Sequence, residues 1–280
     1  MFSAWWQQMK RSWADYPLRQ GLVWAGKYRV EQPLGMGSYG QVYRCTDLKT
    51  GDAVLMKRGK PTKRNIGRQM LKHESGLMRS LRHPQIPEWK DEAVHRGETA
   101  LVMEFVEGHN LEHSIMELGC TYTEREALLI VSQVLRPLKY MHEAGYVHRD
   151  VRTPNIIQRG ESLWLIDFGL ACRIGEEQPD EWRREGLDGE RAEGPAGFEN
   201  SWGTAKHRMR RPEPASDLYG LGHVFLFLMY AGYVPNEGQE ERSWEEELDL
   251  QPAVKSFVSG LLESKWDSAA ECQSVVTSLL

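Results

Sequence analysis

Between His148 and Gly169 the chain reads H-R-D-V-R-T-P-N (His148 to Asn155), then an apolar run, then L-I-D-F-G (Leu165 to Gly169). This stretch constrains the chain more than any other, because two acids and an amide recur at a spacing that suits a metal ion and a phosphate. Asp150 can accept a proton from a hydroxyl. Asn155 and Asp167, twelve residues apart, offer hard oxygen ligands of the kind Mg²⁺ prefers. The remaining sequence reads as support for these groups.

With 280 residues, the chain has room for one large domain or for two lobes of one unit. At 40% hydrophobic and 27% charged residues it falls in the ordinary globular class. The net charge of -5 argues against a nucleic-acid-binding surface. No apolar run approaches the roughly 18 residues of a membrane span. Cys45, Cys120, Cys172 and Cys272 are scattered without a C-x-x-C pair, so neither zinc nor a disulfide framework is indicated. No signal-peptide pattern is present, and a reducing cytoplasm is the expected compartment.

Taken in order, residues 1–26 are expected to form an aromatic helical extension. Phe2, Trp5, Trp6, Met9 and Trp13 recur three and four apart as one apolar stripe. Such a helix either folds back onto the domain or meets a partner or membrane surface. From Tyr28 the pattern changes to short strands around G-M-G-S-Y-G (Gly35 to Gly40). Glycines there let backbone approach phosphates. A strand carrying Val42 follows, not a helix, which speaks against a dinucleotide fingerprint. Arg64 to Arg82 reads as a helix with Glu74 on the side of Leu71, Leu77, Met78 and Leu81. Strands are expected at Trp89 to Arg96 and Thr99 to Val106. Thr123 opens a long helix with the capping box T-E-R-E, ended by Gly145. Residues from Glu176 to Glu199 read as a long surface loop, and Lys206 to Arg211 as a basic turn or a surface for an acidic or phosphorylated substrate. Asp217 opens another helix, and helical segments are expected at Trp244 to Leu250 and Val254 to Leu280.

The run from Tyr28 to about Met229 resembles a eukaryotic-type protein kinase. It keeps, in order, G-M-G-S-Y-G-Q-V-Y, A-V-L-M-K, the helix acid, M-E-F-V-E-G, H-R-D-V-R-T-P-N, D-F-G-L-A and S-D-L-Y-G-L-G. The resemblance implies an α+β, two-lobed fold with a small antiparallel-sheet N-lobe (27–106) bearing one helix, and a mostly helical C-lobe (107–280). The activation segment would run over 167–213. It implies an ATP- and Mg²⁺-dependent enzyme, Mn²⁺ also serving, that phosphorylates protein hydroxyls, serine or threonine above all, including its own. Lys57 would grip the α- and β-phosphates with Glu74 as its ion-pair partner. Asp150 would be the base, Arg152 would lie near the transferred phosphate, and Asn155 and Asp167 would hold the metal. Leu34, Gly35, Gly37, Ser38, Tyr39, Gly40, Val42 and Leu55 would surround ATP. Met103, the backbones of Glu104 and Val106, Asn110 and Ile157 would complete the nucleotide site. Asp217 would anchor the backbone of the H-R-D loop.

Three departures qualify the resemblance. Leu55 stands where the family has alanine against the adenine ring. Arg152 replaces the usual lysine, exchanging a point charge for a planar fork. The A-P-E motif is closest at R-P-E (Arg211 to Glu213), with only three residues separating it from Asp217, and no arginine follows Val254 to pair with that glutamate. Arg149 is expected to pair with a phosphate on the activation segment, with Ser201 and Thr204 as acceptors or as plain loop residues. Two other readings stay open: a nucleotide- or partner-binding module without turnover, and a small-molecule kinase of the same fold.

Overall fold

The computed structural model describes residues 16–36, 40–61, 64–176, 201–234 and 242–280, with backbone alone at 64 and 201–204. The aromatic stripe of residues 2–13, Gly37, Ser38, Tyr39 and nearly all of the acidic block before residue 200 lie outside these residues. The chain divides into two compact units, one ending at Arg82 and resuming over Pro87–Val106, the other comprising His83–Ile86 and Glu107–Leu280.

The first unit is a six-stranded antiparallel sheet with one helix. Its strands are β1 (Val23–Trp24), β2 (Tyr28–Met36), β3 (Gly40–Asp47), β4 (Ala53–Gly59), β5 (Trp89–His95) and β6 (Glu98–Glu104), ordered β1-β2-β3-β4-β6-β5. Alternation sorts the side chains onto two faces. One face buries Trp24, Tyr28, Val30, Tyr43, Cys45, Val54, Met56, Ala100 and Val102 as a cluster. The other carries helix α1 (Arg64–Ser80), whose Leu71, Leu77 and Met78 are buried.

The expected helical extension over 1–26 is corrected where residues are described. Trp24 sits in the sheet core, paired with Tyr28, and Leu18 packs against the same cluster. Ala25 and Gly26, with φ of 53° and 70°, make the tight turn between β1 and β2. Two successive positive φ values, with the Lys27 N–H donating back to the Trp24 carbonyl at 3.0 Å, make a turn whose twist suits a β-hairpin. The helical period of the tryptophans hid this turn.

The second unit is helical around small sheets. Strand β7 (His109–Asn110) leads into α2 (Leu111–Met116), followed by α3 (Glu124–Glu143) and β8 (Tyr146–Val147). A hairpin of β9 (Ile156–Arg159) and β10 (Ser162–Leu165) pairs with β7, and β11 (Cys172–Arg173) pairs with β8. Helices α4 (Ser201–Met209), α5 (Pro214–Tyr230), α6 (Trp244–Glu247), α7 (Pro252–Leu262) and α8 (Ala269–Leu279) complete it. Both halves of the Thr123–Glu126 capping box form, and Leu128, Val131, Val134, Leu135, Leu138 and Met141 of α3 are buried as its period requires. Gly145, at φ 82°, takes the left-handed position that ends α3 and turns the chain toward His148.

Two further expectations change. Val254 to Leu280 is two helices, broken where Ser264 adopts φ 58° and Trp266 donates through Nε1 to the Phe257 carbonyl at 3.1 Å. Ser268 then caps α8 by accepting from the Glu271 amide. The basic run from Lys206 is the body of a helix rather than a turn, because Ala205 and Met209, four apart, are both buried in a cluster with Tyr219. Among the described residues, no helix is long and apolar enough to cross a membrane.

Candidate active site

In the first unit, β3, β4 and β6 set two adjacent rows on the helix-bearing face. Register pairs Val42 with Lys57 and Lys57 with Leu101, and then Arg44 with Leu55 and Leu55 with Met103. Lys57 reaches across to α1 and meets both oxygens of Glu74, at 3.0 and 2.8 Å. Glu74 is only 1% exposed, so its carboxylate depends on that ammonium for compensation. Leu55 lies two residues from Lys57 and directly beside Met103, on the same face. Gly35 pairs with Val42 at the mouth of the β2–β3 hairpin, beside the exposed Leu34. Gly40, at the far side of that hairpin, pairs with Gly59. Glu104 donates its N–H to the Glu88 carbonyl at 2.8 Å. A ligand could therefore use at most its carbonyl, while the neighbouring Val106 is buried at 5% exposure.

In the second unit, α5 builds the H-R-D loop from below. Asp217, in its first turn, is fully buried and accepts the His148 N–H at 2.8 Å and the Arg149 N–H at 2.7 Å. His142 of α3 adds a third contact, with Nε2 at 2.9 Å from the same carboxylate. Burial alone would push the Asp217 pKa up, but the His142 hydrogen bond and the imidazoles of His142 and His148 hold it below the ordinary value. Gly220, one turn on, is required: a Cβ there would lie 2.6 Å from the Val151 carbonyl oxygen.

The loop then orders itself. His148 approaches the Ile166 carbonyl through Nε2 at 3.0 Å, and its Nδ1 accepts from the Asp150 N–H at 3.3 Å. The Nε2–H tautomer satisfies both contacts. Its ring meets the buried Phe168 edge-on, at 5.1 Å between centroids. Asn155 donates through Nδ2 to the Asp150 carboxylate at 2.7 Å and to the Asp150 carbonyl at 2.9 Å. That fixes the amide with its oxygen directed away from Asp150. Arg152 holds the other Asp150 oxygen at 3.2 Å and is half exposed. The β9–β10 hairpin pairs Ile156 with Leu165, and the Ile166 N–H returns to the Asn155 carbonyl at 2.9 Å. This hairpin brings Asn155 to Asp167 across twelve residues of sequence. Asp167 adopts φ 63°, a strained conformation for a non-glycine residue, and is exposed.

Other predicted residues take different places. Arg149 is 1% exposed, with φ 65°, donating through Nε to the Arg210 carbonyl at 2.5 Å and through Nη1 to the Leu170 carbonyl at 3.0 Å. Its guanidinium fastens the two ends of the following segment to the loop. Asn110 pairs in register with Ile157, and its side-chain oxygen caps α2 by accepting the His113 N–H at 2.7 Å. Ser201 and Thr204 fall in the first half of α4. Glu213 is the residue before α5, about half exposed, with Arg211 at 3.7 Å.

Two residues of the basic run take places that the sequence reading did not assign to them singly. Arg208 donates to the Leu262 carbonyl at 2.8 Å and lies over the Tyr219 ring at 4.2 Å, fastening α4 to the end of α7. Its place among the five basic residues of Lys206 to Arg211 left nothing to single it out. Lys206 has its pKa lowered by burial and by Arg210, against an opposing pull from the Asp150 carboxylate.

An ion-paired lysine on a strand beside a glycine-bearing hairpin, with an Asp–Asn pair next to a D-F-G turn, defines a phosphoryl-transferring class of fold. The chain belongs to the protein kinase family, and the protein kinase domain matches it over residues 28–280. It is 32% identical over 256 residues to a Bacillus subtilis (strain 168) protein named "Probable serine/threonine-protein kinase YbdM", covering 91% of this chain and 89% of that one. It is 27% identical over 265 residues to the Caenorhabditis elegans calcium/calmodulin-dependent protein kinase type II, covering 90% of this chain but 33% of the relative. A Dictyostelium discoideum protein named a serine/threonine-protein kinase is 34% identical over 153 residues, 55% of this chain and 30% of its own length. The chain is thus a protein kinase by family, with relatives named for serine and threonine.

Proposed function

We propose that this kinase transfers the γ-phosphoryl group of ATP, bound with Mg²⁺, to serine or threonine hydroxyls of proteins, its own included. The observation that carries this is the Asp150–Asn155 hydrogen bond at 2.7 Å. It orients one carboxylate as a proton acceptor and leaves the Asn155 oxygen for a cation. Asp150 takes the proton of the acceptor hydroxyl as its oxygen bonds to the γ-phosphorus, and the bond to the β,γ-bridging oxygen breaks to release ADP. Arg152, tied to Asp150, follows the moving charge. In the first unit Lys57, held by Glu74, binds the α- and β-phosphates.

The donors suit magnesium, which takes one or two protein oxygens and completes its shell with phosphates and water. Asn155 through its amide oxygen and Asp167 through its carboxylate would hold it. When bound it neutralises phosphate charge; positioning of the acceptor and the proton falls to the loop.

Transfer from labelled ATP should vanish with chelator and return with Mg²⁺ or Mn²⁺, and Asp167→Ala should abolish that return. Metal-independent labelling, or full activity in Asp167→Ala, would overturn the assignment. Leu55 beside Met103 favours a second reading, a nucleotide- or partner-binding module without turnover. It predicts ATP-dependent thermal stabilisation with no transfer to protein. A small-molecule kinase would instead label small alcohols or aminoglycosides in preference to protein.

A further inference from the structure

We infer that the first unit carries a second anion site, for a phosphomonoester dianion, on the edge formed by the end of β4, the first turns of α1 and the β5–β6 turn. A cavity of about 240 Å³ lies there, lined by Lys60, Asn65, Arg68, Glu98 and Thr99 among others. Its walls come from three separate parts of the chain. Gly59, at the end of β4, packs without a side chain against α1, and a Cβ there would stand 3.6 Å from the Gly67 carbonyl carbon. Arg96 and Gly97, at φ 51° and 80°, make the tight turn that presents Glu98 and Thr99.

Thr99 is the observation that points to a ligand. It is 4% exposed, lines the cavity, and its Oγ1 has no hydrogen-bond partner among the described residues. A buried hydroxyl left without a partner is costly, so its presence asks for an acceptor. Around it the charge is positive. Glu98 is already compensated by the buried Arg58, whose Nε and Nη2 lie 2.8 and 2.7 Å from one of its oxygens. Lys60 and Arg68 remain, neither with an ion-pair partner among the described residues. The first turn of α1 contains no acidic residue, so none of its own side chains offsets the positive end of its dipole. Two cations, a hydroxyl donor, the Asn65 amide and a helix N-terminus converge from several directions. That arrangement suits a tetrahedral dianion better than a flat carboxylate.

The site would have a consequence for the lobe it occupies. Lys60 stands three residues after Lys57 on the β4 side, and Arg68 and Asn65 stand on the helix that carries Glu74. A dianion held by both sides ties together the same two elements that the Lys57–Glu74 pair joins. It would therefore act as a clamp on α1, supplied either by free phosphate or by a phosphorylated side chain.

The test uses the full chain, with inorganic phosphate and N-acetyl-phosphoserine-N-methylamide as probes at constant ionic strength, read by thermal stabilisation. Both should stabilise saturably, and equally in Asp167→Ala, which removes a metal ligand of the proposed ATP site. Arg68→Ala and Thr99→Val should each weaken binding at least tenfold, while Lys49→Ala should not. Arg68 is exposed and Thr99→Val is nearly isosteric, so both variants should fold. Tighter binding of the phosphoserine probe by tenfold would assign the ligand to a phosphorylated side chain; equal binding would assign it to free phosphate. At saturation, hydrogen exchange across Arg64–Ser80 should slow. No saturable stabilisation by either probe, or wild-type affinity in Arg68→Ala and Thr99→Val, would overturn the site, and unchanged exchange at saturation would overturn the clamp. None of these readouts needs phosphoryl transfer, so failure of the site and failure of the proposed enzyme activity are told apart.

Discussion

At the scale of single residues, Asp217 carries more of the site than its distance from the chemistry suggests. One buried carboxylate takes two backbone N–H groups of the H-R-D loop and one imidazole. An amide in its place keeps one oxygen and turns an NH₂ toward a donor. Asp217→Asn should therefore cost about 2–4 kcal/mol by denaturant unfolding. The sign of its pH dependence follows from its lowered pKa. The stabilisation is complete above the unfolded value near ~3.9 and is lost as pH falls through the lower folded value. Wild type should lose this increment below about pH 4, and Asp217→Asn should have none to lose. Leu55 makes a second test. Its bulk beside Met103 narrows the face that carries Lys57, and Leu55→Ala should lower the KM for ATP by roughly fivefold, about 1 kcal/mol of relieved crowding. An unchanged or raised KM would remove Leu55 from the nucleotide face. The Lys57–Glu74 ion pair and the Asp217 anchor of the H-R-D loop were legible because fixed spacings carry them. Arg149 was not, because its partners are backbone carbonyls, which every residue has and no sequence marks.

At the scale of elements, caps and periods were readable and compact turns were not. The α3 capping box and its Gly145 stop are written in residue types that do one thing at a helix end. The β1–β2 turn uses Ala25 at positive φ, where sequence favours asparagine or glycine, so a strand was read as helix. Helix α4 hid in a charged run because, among its described side chains, only Ala205 and Met209 are buried. The C-terminal end of that helix is fastened by two backbone acceptors, the Arg210 carbonyl to Arg149 and the Leu262 carbonyl to Arg208. Arg208→Ala should lower kcat for protein substrate by about tenfold, roughly 1.4 kcal/mol, and leave the KM for ATP unchanged. A matching rise in the KM for ATP would show a general loss of structure instead. Arg208→Lys, which keeps charge but not the planar stack on Tyr219, should recover only part of the rate.

At the scale of the whole molecule, each unit completes its half of the proposed chemistry with its own core. The first unit positions Lys57 against Glu74 by strand register and one helix; the second positions Asp150, Asn155 and Asp167 by a loop, a hairpin and α5. Family membership, two-unit architecture and reaction class were all legible in linked motifs. The acceptor was not, because the segment from Gly169 to Glu213 departs most from the family pattern, with Arg208 and Lys206 in unforeseen places. The central claim is that Asp150 drives transfer from ATP to a protein hydroxyl. Its most direct measurement is single-turnover transfer of labelled γ-phosphate to protein, wild type against Asp150→Asn at saturating ATP and Mg²⁺. The account predicts labelling of serine or threonine by wild type and a rate at least about 10² lower in the variant. Nucleotide binding without labelling by wild type, or equal rates in both, would contradict it.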